Sequence, residues 1–241
     1  MPATIAPPED LDCIVVGGGP AGLTTAIALG EAGVRTALVA RRIAYGDNRT
    51  TALFGASLTL LERLGVWRRC AEAAAPLRAM RLVDNTGRLI RAPEVRFDCA
   101  EIGLETFGFN IENRTLVAAL EAASDDCQNL TRIDDEAERI VPSDTAVAVH
   151  TAGGQTFSAP LVVGADGRRS LSRDAAGIAV TRRQLNQAAV TFNVSHSRPH
   201  HNTSTEFHTA HGPCVFVPLP GERSSVVWVT TPAEAERQAL G

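Results

Sequence analysis

The sequence predicts an α/β fold. Three observations carry this expectation. The apolar run from Leu11 to Val16 leads directly into Gly17-Gly18-Gly19-Pro20-Ala21-Gly22, and a helical stretch from Ala21 to Ala32 follows at once. From residue 188 onward, short strand-like runs replace helical text. Strand, tight turn and helix at the start, with strands dominating the end, describe a parallel-sheet unit joined to a mostly β region.

Taken in order, the Leu11–Val16 run is broken only by Asp12 and reads as a buried strand. Gly33 stops the first helix as a C-cap glycine would, and Thr36 to Ala40 supplies a second buried strand, completing a βαβ unit. Residues 41–51 read as a loop around Gly46, Asp47 and Asn48. Ala52 to Leu64 reads as an amphipathic helix with Leu53, Leu60, Leu61 and Leu64 on one side. Met80 to Val83 and Leu89 to Ile90 flank Asn85-Thr86-Gly87, a hairpin signal. Asn113 suits the N-cap of a helix from Arg114 to Ala123, because its side chain can accept from free backbone amides. Val147 to Thr151 and Gln155 to Phe157 flank Gly153-Gly154 as a second hairpin, and Leu161 to Val163 reads as a short buried strand. Strands are expected at Ala188–Val194, Ser204–His208, Cys214–Val217 and Val226–Thr230, then a helical piece opened by Pro232.

Composition narrows the function classes. Apolar residues are 44% and charged residues 21% of the 241, values of a globular protein. Lys and Arg number 23 against 27 Asp and Glu, a net charge of −4, and the Arg pairs are scattered, so no nucleic-acid footprint is present. Five widely spaced cysteines without a CxxC argue against a disulfide framework or zinc knuckle, and a reducing cytoplasm is expected. The first ten residues lack a basic segment followed by an apolar one and read as a loose tail. No apolar run reaches the roughly 18 residues of a spanning helix, so any membrane contact is expected to be peripheral.

Chemistry is concentrated in two motifs. Gly17, Gly19 and Gly22 fit GxGxxG between a strand and a helix, the context that the motif requires. Gly17 permits the tight turn, Gly19 admits a pyrophosphate to the backbone, and Gly22 lets helix and strand pack, while the helix N-terminus offers amides to phosphate. An acidic residue for the ribose hydroxyls is expected about 20 positions on. That place falls at Ala40, followed by Arg41-Arg42, and arginines there suit a 2′-phosphate, which keeps an NADP-dependent reductase open as an alternative. The second motif is Leu161-Val162-Val163-Gly164-Ala165-Asp166-Gly167-Arg168, a strand that delivers a carboxylate into a glycine turn.

Together the two motifs resemble the flavoprotein monooxygenases of the para-hydroxybenzoate hydroxylase type. Three further stretches are similar to the ubiquinone-biosynthesis hydroxylases among them: Asp47-Asn48-Arg49-Thr50-Thr51-Ala52-Leu53, Leu64-Gly65-Val66-Trp67, and Gly212-Pro213 leading into Val217-Pro218-Leu219-Pro220. The resemblance implies a Rossmann-type FAD-binding domain of ββα three-layer form with an inserted, mostly β substrate domain. Residues 1–77 and 104–178 would form the first, 78–103 and 179–241 the second. It implies FAD as cofactor, NAD(P)H as transient co-substrate, and hydroxylation of a small aromatic substrate, a prenylated ubiquinone-precursor phenol, with O2. Such a substrate implies peripheral contact at the inner membrane face. The implied cofactor-binding residues are Gly17, Gly19, Pro20, Ala21 and Gly22 at the turn, Arg41 beyond the second strand, Arg49 and Arg114 along the cofactor, and Asp166 and Gly167 in the second motif. No catalytic side chain is named.

The family's third motif, GDAAH before a glycine-rich helix start, is not in the sequence, so the chain is expected to be the N-terminal part of a longer protein, and a truncated non-catalytic flavin-binding fragment is the other alternative. His196, His200, His201, His208 and His211 cluster near Glu206 without the spacing of a metal motif, and no metal is expected. Ser170 and Ser172 lack the GxSxG context of a hydrolase. Trp67 and Trp228 read as core or rim aromatics.

Overall fold

A computed structural model describes residues 10–42, 46 and 48–239. The expected loose tail over 1–9, and residues 43–45 and 47 of the expected loop, lie outside the described residues. Along the chain run β1 (Cys13–Val16), α1 (Pro20–Glu31), β2 (Thr36–Val39), β3 (Thr50–Phe54), α2 (Gly55–Arg63), β4 (Ala75–Leu77), β5 (Ala79–Asp84), β6 (Val95–Asp98) and β7 (Gly108–Glu112). There follow α3 (Asn113–Asp126), β8 (Leu130–Ile133), β9 (Ala137–Pro142), β10 (Val147–Thr151), β11 (Thr156–Ala159), β12 (Leu161–Gly164) and α4 (Leu171–Ala175). The chain continues with β13 (Ala188–Ser195), β14 (Thr203–Thr209), β15 (Gly212–Leu219), β16 (Arg223–Thr230) and α5 (Pro232–Ala239).

These elements divide into two compact units, the first comprising Met1–Ala44, Arg63–Val66 and Val117–Thr181, the second Tyr45–Glu62, Trp67–Leu116 and Arg182–Gly241. The sequence-drawn boundary at 178 lies three residues from a unit edge. Those at 77 and 103 fall inside the second unit, because residues 67–116 pair and pack as one body.

The first unit has a parallel sheet in the order β12-β1-β2-β8 and an antiparallel sheet β11-β10-β9. Alternation along the strands decides the layers. Ile14 and Val16 of β1 and Ala37 and Val39 of β2 form one cluster with Ile140, Val149, Phe157 and Ala159 of the antiparallel sheet. Helix α1 packs against β1, β2 and β8. That is the ββα sandwich, and strands covered on both faces explain the unbroken apolar text of β1 and β2. Helix α1 ends as expected: Gly33 takes φ +84°, and Gly33 N and Val34 N donate to Gly30 O and Leu29 O, the two bonds of a Schellman stop. The strand β12 departs from expectation. It is the sheet edge, and Leu161 is 53% exposed, because only β1 pairs with it.

The second unit contains a six-stranded sheet in the order β13-β16-β15-β14-β5-β6, antiparallel except where β5 lies parallel to β14, and a three-stranded sheet β3-β7-β4. Residues 50 and 51, expected in the loop, and 52–54, expected to open the helix, are strand β3, and the helix α2 begins only at Gly55. Five residue pairs with β7, from Thr50↔Glu112 to Phe54↔Gly108, override the leucine spacing. The expected hairpin partner of β5 at Leu89–Ile90 is likewise displaced to β6. Leu89 and Ile90 are exposed, and Asp84 bridges the longer connection by accepting from Thr86 N, Thr86 Oγ and Ala92 N. Asn113 does not stand before α3 but is its first residue, and its Oδ1 accepts from Thr51 Oγ at 2.5 Å. The strands β4, β7, β8 and β9 carry no signal that the sequence reading found.

Candidate functional site

The turn after β1 is built by contact. Gly17 has φ +113° and donates its N–H to Val39 O at 3.1 Å, and a Cβ there would stand 2.3 Å from Ala165 O. A Cβ on Gly22 would lie 1.8 Å from Gly17 O, and one on Gly18 would lie 2.8 Å from the Cβ of Ala40. The backbone of the turn therefore occupies the space where side chains would be, between the ends of β2 and β12. Gly19 is the N-cap of α1, Pro20 stands at its first position, and the first helical bond runs from Leu23 N to Gly19 O. The amides of Ala21 and Gly22 thus have no acceptor within the helix, and they sit at the positive end of its dipole, where phosphate is favoured. The turn fits a dinucleotide pyrophosphate on these grounds.

The second motif meets the first. Parallel pairing of β1 with β12 sets Val16 beside Gly164, and Ala165 N donates to Val16 O at 2.8 Å. Asp166 therefore emerges beside Gly17. Its Oδ1 accepts from Ser170 Oγ at 2.5 Å and its Oδ2 from Ser172 N at 2.9 Å, while Ser170 Oγ caps α4 by accepting from Arg173 N. Burial pushes the Asp166 carboxyl up, but the hydrogen bonds from Ser170 and Ser172 outweigh it and hold the group below the usual carboxylate range. Gly167 has φ +76° with open space where a Cβ would be. The carboxylate is committed to the start of α4. Ser170 and Ser172, which lack a nucleophile context in the sequence, are the partners of Asp166. The local signal for Ser170 is a serine at a helix start, where its hydroxyl can accept from a free backbone amide.

The residues after β2 arrange differently. Arg41 is exposed, its Nε 3.9 Å from Glu136. Arg42 is engaged from three sides: its N–H donates to Asp134 at 2.7 Å, its guanidinium pairs with Asp125 through both terminal nitrogens, and Glu121 stands 3.8 Å away. A guanidinium held by two carboxylates is a poor receiver for a 2′-phosphate, which takes Arg42 out of the support for the NADP reading. On β8, where Arg132 pairs with Leu38 of β2, Arg132 makes a two-pronged pair with Glu121 at 2.7 and 2.9 Å.

Arg49 and Arg114 belong to the second unit. Register places them at one end of the β3–β7 ladder, Arg49 just before β3 and Arg114 just after β7, with Asn113 N donating to Arg49 O at 3.0 Å. Arg114 donates through Nε and Nη2 to Glu112 Oε2, whose other oxygen accepts from Asn193 Nδ2 and Arg223 Nη2, each at 3.0 Å. Glu112, Asn193 and Arg223 escaped the sequence reading because nothing local links residues so far apart. The histidines do not gather into one group: His196 and His200 meet edge to face at 5.7 Å, but His200 Nε2 lies 3.0 Å from both Leu219 O and Gly221 O, its Nδ1 accepts from Asn202 N, and His196 meets Ser224 Oγ at 3.1 Å, while His208 stands 3.3 Å from Glu206. Among the described residues no group of three His, Cys, Asp or Glu could hold a metal.

Residues 10–239 match the FAD binding domain family. The chain belongs to the FAD binding domain family. It is 32% identical over 234 residues to the ubiquinone hydroxylase UbiL of Rhodospirillum rubrum, covering 94% of this chain and 53% of that protein. Over 235 residues it is 29% identical to the 3-demethoxyubiquinol 3-hydroxylase of Escherichia coli, covering 93% and 59%. The crystal structure of p-nitrophenol 4-monooxygenase PnpA from Pseudomonas putida superposes with a TM-score of 0.79 at 22% identity, covering 95% of this chain and 61% of that one, which shows a shared fold. The chain spans little more than half the length of the curated relatives it matches.

Proposed function

We propose that the whole protein is an FAD-dependent monooxygenase that hydroxylates an aromatic ring, a ubiquinone-precursor phenol, with NAD(P)H and O2. The observation that carries the reading is the meeting of Gly17 with the Ala165–Asp166 backbone, which joins two motifs far apart in sequence around one helix N-terminus. The flavin supplies the redox and oxygen chemistry when bound. The residues of this chain bind and orient. Gly17, Gly19 and Gly22 bring the backbone to the pyrophosphate, the amides of Ala21 and Gly22 neutralise it, and Asp166 fixes the turn whose Gly167 backbone faces the cofactor. Arg49 and Arg114 are assigned to the length of the cofactor, Arg114 oriented by Glu112. The six-stranded sheet is assigned to the substrate.

A prenylated phenol would bring the protein to the inner face of a membrane as a peripheral partner. Among the described residues no helix is long and apolar enough to cross one. The test is the visible spectrum of the purified chain after incubation with FAD and removal of excess, followed by assay of the full-length protein with NADPH, O2 and prenylated phenols. Retained flavin and an oxygenated product of added mass 16 are expected. A chain that takes up NADPH but no flavin would sink the reading.

A further inference from the structure

The end of β2 lacks the acid that this fold uses for the adenosine ribose, and the structure shows what stands there instead. Ala40 is buried, its Cβ directed at Gly18. The next side-chain atom from that face of the glycine turn is Arg132 Nη2, 3.7 Å from the point where a Cβ on Gly18 would lie. Arg132 is held at 10% side-chain exposure by its two-pronged pair with Glu121, and Glu121 is shared with Arg42, itself paired with Asp125. The pair uses one N–H of each terminal nitrogen. The outer N–H of Nη2 is left over, and Nε is buried without a partner among the described residues. A buried guanidinium with unused donors is costly unless something accepts from it.

We propose that Arg132, positioned by Glu121, holds the hydroxyls of the adenosine ribose of FAD in place of an acid at residue 40. The proposal rests on the flavin reading above. An arginine reverses the polarity of the contact: a ribose hydroxyl donates to a carboxylate, but it accepts from a guanidinium. The neighbourhood also fixes which ribose fits. Two guanidiniums, Arg42 and Arg132, stand among two carboxylates, Glu121 and Asp125, so the group carries no excess positive charge for a 2′-phosphate, and a neutral ribose is the better ligand. The arrangement depends on residues of α3 and β8, which the fingerprint at the end of β2 does not include.

The test compares FAD, FMN and an FAD analogue carrying 2′,3′-dideoxyadenosine, each titrated by flavin fluorescence onto the full chain and its variants. The chain should bind FAD about tenfold more tightly than the dideoxy analogue, the value of one hydrogen bond to a charged donor. Arg132→Ala should bind the two alike, with its affinity for the dideoxy analogue equal to that of the unaltered chain as the check that the turn is intact. Arg132→Lys, which keeps the charge and loses the fork, should discriminate little. Equal affinity of the unaltered chain for FAD and the dideoxy analogue would overturn the proposal and leave the flavin reading standing. Retained discrimination in Arg132→Ala, or tighter binding of NADPH than of FAD, would also overturn it. Uptake of neither FAD nor FMN would remove the flavin reading itself.

Discussion

The carbonyl oxygen of Gly17 lies 1.8 Å from the position that a Cβ on Gly22 would occupy, so helix α1 meets the end of β1 with no room for a single methyl group. The dinucleotide turn is thus set by steric exclusion as much as by glycine's backbone freedom. Gly22→Ala must push the helix off the strand, at a cost of roughly 1–3 kcal/mol for overpacking. Its flavin retention should fall with its melting temperature. Gly33→Ala provides the contrast, because Gly33 has φ +84° and nothing within 4 Å. It should lose about 1–2 kcal/mol to left-handed strain with flavin affinity unchanged. Equal flavin loss in both variants would mean that general instability, and not the turn, governs binding.

Asp166 links the second motif to acid stability. Its carboxyl lies below the usual range in the folded chain because Ser170 Oγ and Ser172 N donate to it more than burial penalises it. A folded-state pKa below the unfolded one stabilises the fold above the unfolded value, about 3.9, and that contribution is lost as pH falls through the folded value. Asp166→Asn presents an amide donor where Ser172 N or Ser170 Oγ already donates, and should cost about 1–3 kcal/mol at neutral pH. The gap between the melting temperatures of the variant and the parent should narrow below about pH 4. A gap independent of pH would show that the carboxylate's charge is not what holds the turn.

Legibility in the sequence followed how local each cause was. Strands β1 and β2, helix α1 and the Gly33 stop announced themselves because continuous apolar runs and glycines act within a few residues. Residues 50–54 did not: Leu53 matches a helical spacing with Leu60, Leu61 and Leu64, yet Leu53 is buried on a strand whose partner, β7, lies over fifty residues later. The candidate site divides the same way. Its glycines and Asp166 were readable as motifs, whereas Arg42 becomes the partner of Asp125 and Glu121, and Arg132 approaches Gly18, only through folding.

Asp84 offers a local titration. Its carboxyl is held down at about 2 by Ala92 N first, then by the Thr86 hydroxyl and amide. The folded value is below the unfolded one, so these bonds support the β5–β6 connection above about pH 4 and are lost as pH falls towards 2. Protection of Ala92 N from hydrogen exchange, taken relative to its intrinsic rate at each pH, should fall over that interval. Asp84→Ala should show the fast rate at every pH, and the far strands β13 and β16 should be unaffected in both cases.

Glu112 joins three elements of the second unit through one carboxylate. Arg114, at the start of α3, takes one oxygen, and Asn193 of β13 and Arg223 of β16 share the other, while the Glu112 side chain itself is 13% exposed. Burial raises its carboxyl, but Arg114 and Arg223 outweigh this and hold it below the usual range. Glu112→Ala leaves two arginines and an amide without their acceptor and should cost about 1–3 kcal/mol at pH 7. Glu112→Gln keeps the shape and one acceptor oxygen but loses the charge, and should cost less. Because the folded pKa is depressed, the carboxylate's contribution is present above about pH 4.3 and is lost as pH falls through the folded value, so Glu112→Gln should approach the parent in stability under acid. Chemical denaturation at pH 7 and pH 3.5 measures both. If Glu112→Gln matched the parent at pH 7 as well, the carboxylate would be serving as a neutral acceptor, and Arg114 would owe its orientation to something other than its ion pair.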